Sequence, residues 1–73
     1  MHEMTIMNRK GHETVTWDPR DTVAVKTAEQ AFVTSLRQGS WAYQVKADGS
    51  YEQLTRFDPQ AKTVMVMPPM AGG

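Results

Sequence analysis

Gly72 and Gly73, preceded by Pro68-Pro69-Met70-Ala71, are the residues of this chain whose types and spacing suit a chemical step. A carboxylate is a poor electrophile, and it accepts a nucleophile only after an ATP-using partner has converted it to an acyl-adenylate. Glycine at the last two positions lets another protein's backbone and a nucleotide approach closely, because no Cβ stands in the way. Pro68 and Pro69 fix φ and favour an extended, polyproline-like exit. The run reads as a slender, stiffened arm, residues 68–73, with the Gly73 carboxyl as the group to be activated. ATP belongs to the activating partner, and no cofactor is expected on the chain itself.

The remaining candidates for chemistry are weaker. His2 and His12 lack the three or four convergent ligands that a metal site needs, so both read as surface residues and no metal is expected. Ser35, Ser40 and Ser50 have no triad partners in the sequence, and Gly39 and Gly49 read as turn glycines without phosphate-loop spacing. The chain is not expected to be an enzyme. Lys10, Lys26, Lys46 and Lys62 would serve as acceptors only if the protein forms chains, and nothing in the sequence ranks them. Five of the six methionines, Met4, Met7, Met65, Met67 and Met70, fall on or beside the first and last expected strands. Methionine is flexible and polarizable and suits adaptable binding surfaces, which makes Met7, Met65 and Met67 a candidate docking face for the activating partner. Ordinary gap filling in a core is the competing reading for the same residues.

Composition narrows the partners. Eight basic and eight acidic side chains cancel, and their scatter along the chain leaves no electrostatic footprint for nucleic acid or anionic lipid. The longest apolar run, Val64 to Met67, is far shorter than the roughly 20 residues that span a bilayer. With no cysteine, neither a disulfide framework nor a thiolate zinc site supplies stability, and a cytoplasmic location is the expectation. A chain of 73 residues allows one domain that buries only about 60% of its unfolded surface.

The elements that must position the arm follow from periodicity and turn residues. Met4 to Asn8 and Thr14 to Trp17 alternate around Asn8-Arg9-Lys10-Gly11 and read as a hairpin, closed by Asp18-Pro19. Val25, Ala28, Phe32 and Leu36 recur at helical spacing. That helix begins either at Asp21 as its cap or at Thr27 with Gln30, and Gly39 ends it. Trp41, Tyr43 and Val45 share one face of a strand, Asp48-Gly49 gives a turn, and Tyr51 to Phe57 returns. Trp41 and Tyr43 are expected to pack under the helix with Phe32; an exposed platform of Trp41, Tyr43 and Tyr51 is the alternative. Thr63 to Met67 makes the last strand, stopped by the proline pair. The order ββαβββ predicts an α+β domain over residues 1–67, a mixed sheet of four to five strands crossed by one helix. The first and last strands should pair in parallel, because a helical crossover permits it. This is the β-grasp, or ubiquitin-like, arrangement, followed by a flexible Gly-Gly tail over residues 68–73.

The closing segment Val64-Met65-Val66-Met67-Pro68-Pro69-Met70-Ala71-Gly72-Gly73 resembles that of the small, sulfur-carrying subunit of molybdopterin synthase, whose family ends in a strand, two prolines, two variable residues and Gly-Gly. The thiamine-pathway sulfur carrier and ubiquitin share the fold and the terminal glycine pair. The match is specific over about ten residues and extends over the rest only as a pattern of elements. It implies adenylation of Gly73 by a ubiquitin-activating-type enzyme. A thiocarboxylate for a synthase subunit, or conjugation of the modifier to a target protein, would follow. The reading from a different class is a β-grasp interaction or assembly module of a phage or bacterial operon, with a tail that is never activated.

Overall fold

Among the described residues, turns form at the signals Asp18-Pro19, Gly39 and Asp48-Gly49. In the computed structural model, which describes residues 1–8 and 10–69, the elements are β1 (His2–Asn8), β2 (Gly11–Trp17), α1 (Thr22–Arg37), β3 (Trp41–Val45), β4 (Tyr51–Leu54) and β5 (Thr63–Met67). The strands form one mixed sheet in the order β2-β1-β5-β3-β4, so the spatial order departs from the chain order because β5 inserts at the centre. β1 and β5 are parallel; the other neighbours are antiparallel. The hairpin is longer than alternation suggested, since each residue from His2 to Asn8 has a partner in β2. β4 stops at Leu54, short of the expected Phe57.

Of the two helix starts, the longer one forms. Asp21 Oδ1 accepts the N–H groups of Val23 and Ala24 at 3.1 and 3.2 Å, satisfying two donors that the first turn leaves without partners. Thr27 lies inside the helix, its hydroxyl donating back to Val23 O at 3.0 Å. At the other end, Gly39 adopts φ +93°. Gly39 N–H donates to Leu36 O and Ser40 N–H to Ser35 O, at 3.0 and 3.1 Å, the paired bonds of a Schellman terminus.

The core lies between α1 and one face of the sheet. Met4, Trp17, Ala28, Phe32, Ala42, Val64 and Val66 are fully buried, and period-two alternation places Met4 and Ile6, Val15 and Trp17, Val64 and Val66, Ala42 and Leu54 on that inner face. Phe57 stands between Trp17 and Phe32, with ring centroids 5.2 and 5.7 Å away, in the tilted geometry aromatic pairs prefer. Trp17 Nε1–H donates to Pro59 O at 3.0 Å, and His2 Nδ1–H donates to Ala61 O at 3.1 Å. His2 is therefore half-buried against the edge of Trp17, 5.8 Å between ring centroids, and not the surface residue its neighbours in sequence suggest; His12 is exposed.

Trp41 and Tyr43 do not pack under the helix. The residue of β3 that faces α1 is Ala42, paired with Val66 of β5. β3 carries apolar residues on both faces, so alternation alone leaves its sense open; the inward-facing Val64 and Val66 decide it. Trp17 and Phe57 occupy the place beside Phe32 that the other aromatics were expected to take.

Replacing the capping residue, Asp21→Ala, removes the acceptor for two N–H groups. It should cost about 1 kcal/mol, which in a domain of this size lowers the midpoint of thermal unfolding by roughly 4–8 °C. Thr27→Ala should cost less, as expected of a position inside the helix, and thermal melts of the two variants compare the two starts directly.

Candidate functional site

The face of the sheet turned away from α1 carries the exposed apolar side chains of the strands. In β5, Met65 and Met67 alternate with the buried Val64 and Val66 and so point outward. Across the seam to β3, Tyr43 is opposite Met65 and Trp41 is opposite Met67. In β4, Tyr51 pairs with Val45 and shares the same face. Trp41, Tyr51 and Met67 are 47%, 66% and 39% exposed, large values for apolar side chains in so small a domain. Two adjoining shallow grooves result. One is lined by Tyr43, Tyr51, Met65 and Met67, the other by Trp41, Tyr43, Met67, Pro68 and Pro69. The 16 charged residues of the chain leave these grooves lined by aromatic, methionine and proline side chains alone.

The second groove runs to the root of the arm. β5 ends at Met67 because Pro68 and Pro69 have no N–H to continue a ladder. The proline pair sits at the end of the sheet and borders both of its sides. Outward, it adjoins Trp41 and Tyr43; toward the helix, it lines a further groove with Ile6, Met7, Asn8, Ser35, Gln38 and Ser40. A Cβ placed on Gly39 would lie 3.4 Å from Pro69 Cβ, so the end of α1 and the root of the arm are in van der Waals reach.

Of the methionines expected to dock a partner, Met65 and Met67 are brought together in one groove. The register places Met7 level with Met67, one step beyond the Ile6 and Val66 pair. Met7 is half-buried; one residue beyond the inward-facing Ile6, it shares the outer face with Thr5 and Met65, and it also borders the groove between the prolines and the helix. Met4 is core. Trp41 and Tyr43 of β3 and Tyr51 of β4 complete the face, and the i, i+2 spacing of the first two was the signal for it; what spacing does not carry is whether the face is covered. Met70, Ala71, Gly72 and Gly73 lie outside the described residues.

Among the described residues no group of three His, Asp or Glu side chains is arranged to hold a metal ion, and no helix is long and apolar enough to cross a membrane. Ser50 is engaged in the β3–β4 turn, where its hydroxyl donates to Asp48 Oδ1 at 2.6 Å. That bond, followed by the one from Ser50 N–H, holds the Asp48 carboxyl below its ordinary value. Lys46 faces Glu52 at 3.5 Å, while Lys10, Lys26 and Lys62 are exposed on separate elements.

Gly39→Ala should cost about 1–2 kcal/mol, the penalty of a left-handed backbone for a residue with a Cβ. A contact of 3.4 Å with Pro69 is ordinary packing, so adding Pro69→Ala should not restore the loss. Denaturant melts of the single and double variants check this; rescue by the second substitution would mean that crowding at the arm's root sets the cost. Compared with known proteins, the chain matches no family model, no curated protein and no solved structure.

Proposed function

We propose that this chain is a ubiquitin-like carrier or modifier of the β-grasp type, whose Gly73 carboxyl is adenylated by a ubiquitin-activating-type enzyme. The observation that carries the reading is the continuity between the exposed face and the arm: the groove of Trp41, Tyr43 and Met67 ends on Pro68 and Pro69. A partner seated on that face is placed beside the root of the segment that ends in Gly72-Gly73. The parallel β1–β5 pair at the heart of a sheet crossed by one helix is compatible with the β-grasp, and the resemblance of the last ten residues points the same way.

The chemistry runs as two displacements. A Gly73 carboxylate oxygen attacks the α-phosphorus of ATP, pyrophosphate leaves, and the acyl-adenylate forms. A sulfur nucleophile supplied by a donor, or an amine of a target protein, then attacks the acyl carbon and AMP leaves. Sulfide gives the thiocarboxylate directly, whereas a persulfide donor gives an acyl disulfide, which a second thiol cleaves to release the thiocarboxylate and leave a disulfide on the donor; the amine gives a conjugate. Six residues, 68–73, would span at most about 20 Å if fully extended, and glycine at the end keeps the reacting carbonyl open to both nucleotide and nucleophile. The chain contributes reach, slimness and a docking face; catalysis and ATP belong to its partner, in the cytoplasm.

Incubation with a cognate adenylating enzyme, ATP and a sulfur donor should add the mass of an adenylate and then exchange oxygen for sulfur in the intact protein, or yield a conjugate. Deleting Gly73 should abolish both while leaving the melting temperature in place. Trp41→Ser and Met67→Ser, at exposed positions, should cost little stability yet weaken activation by roughly tenfold or more, the loss typical of an interface anchor. If no plausible activating enzyme produces adenylate, thiocarboxylate or conjugate, the reading fails. If residues appended after Gly73 change nothing the protein does in its operon, the exposed face belongs instead to an assembly module.

A further inference from the structure

The sheet has a second surface, distinct from the groove at the arm. β2 is an edge strand, unpaired on the side away from β1. Its seven residues keep an unbroken register with β1, each opposite one partner, so no bulge twists the edge away. Gly11–Trp17 holds neither proline nor lysine; Glu13, on the helix side of the sheet, is its one charge of the kind that guards an edge, so a pairing must set it clear of its own copy. Among the described residues no backbone hydrogen bond from another segment covers it.

The direction of its free groups follows from one bond. Glu3 N–H donates to Lys62 O at 2.9 Å, so the peptide groups of Glu3 are turned toward β5. Thr16, its partner in β2, then turns its own N–H and C=O away from β1, and alternation does the same for Thr14 and His12. All three residues are exposed. The edge presents a ready row of donors and acceptors centred on Thr14.

We propose that this edge pairs with the β2 edge of a second copy of the chain, antiparallel about a two-fold axis at Thr14, to make a continuous ten-stranded sheet. The occupant follows from the symmetry of the free groups about Thr14, and charge bears on the register. With Thr14 opposite Thr14, His12 meets Thr16, Glu13 meets Val15, and Lys10 of each copy lies level with Asp18 of the other, a carboxylate that already accepts from Arg20 of its own chain. Moving the axis to Glu13 would set that carboxylate against itself, and moving it to Val15 would set Lys10 level with Arg20. The chosen register joins His12, Thr14 and Thr16 through about six backbone hydrogen bonds, with a threonine pair at the centre of the kind that stabilises cross-strand contacts. Antiparallel pairing sends the two arms toward opposite ends of the joined sheet, so dimer formation leaves activation at Gly73 untouched and stands or falls separately from it.

Sedimentation of the intact protein over a concentration series should reveal a species of twice the 8.2 kDa protomer mass that dissociates on dilution. Thr14→Pro removes an N–H that the fold itself does not use, and an edge strand tolerates proline; the variant should keep its circular dichroism and sediment as a monomer. The chain has no cysteine, so Thr14→Cys carries a single thiol and should cross-link to its copy with a short bis-maleimide, whereas Gln53→Cys on the far edge should not. A wild-type protein that is monomeric at every concentration, a folded Thr14→Pro dimer, or equal cross-linking of the two cysteine variants would each overturn the proposal.

Discussion

The parallel pairing of β1 with β5 is the constraint on which the rest of the molecule depends. Glu3 opposite Thr63, Met4 opposite Val64, Thr5 opposite Met65 and Ile6 opposite Val66 determine which side chains of the central strand meet the helix. Side chains alternate with a period of two, so a slip of one residue would turn Val64 and Val66 out and draw Met65 and Met67 in. The connection before β5 guards against that slip. Trp17 Nε1 and His2 Nδ1 hold the carbonyls of Pro59 and Ala61, and Glu3 N–H takes the carbonyl of Lys62. Three bonds from the first hairpin therefore deliver the chain to the start of β5 in register.

A sheet covered by one helix has one dry face and one open face. In a chain this short, the dry side is filled by a few large groups, and Trp17, Phe57 and Phe32 form a line of rings across it. Burying each such side chain stabilises the fold by roughly 1.5–3 kcal/mol. That makes it costly, by the same measure, to leave Trp41, Tyr51 and Met67 outside. Their exposure is compatible with stability only because the inner side chains suffice, and it leaves the apolar surface of the central strands available to another protein.

Much of this was legible in the residue order. Asp18-Pro19, Gly39, Asp48-Gly49 and Pro68-Pro69 mark element ends through backbone chemistry that acts locally; the structure turns at the first three, and β5 stops at Met67, just before the proline pair. Val25, Ala28, Phe32 and Leu36 mark the helix face for the same reason. The sense of β3 was not legible. Trp41-Ala42-Tyr43-Gln44-Val45 has apolar residues on either side, and the small Ala42 is inward because its partner Val66 is inward, a fact that lives on another strand. The engagement of His2 by Trp17 and Ala61 likewise joins residues far apart in sequence. The candidate arm was read from the local run Pro68-Pro69-Met70-Ala71-Gly72-Gly73 after a strand; the face beside it required the register.

The placement of charge argues for the same division of surfaces from the opposite direction. Among the described strand residues, Glu3, Glu13 and Glu52 are the charged ones, and pairing puts Glu13 opposite Ile6 and Glu52 opposite Gln44, on the side of the helix. Glu3 alone shares the outer face with Met65, Tyr43 and Trp41, at the end of the sheet remote from the arm. A face open only to water would lose nothing by carrying lysine or glutamate at positions 43, 51, 65 or 67, and solubility would gain. Charge there would instead have to be stripped of water when a partner's surface closed over it. The segregation leaves Trp41, Tyr43, Met65 and Met67 as an uncharged outer face that adjoins Pro68 and Pro69 at the end of β5.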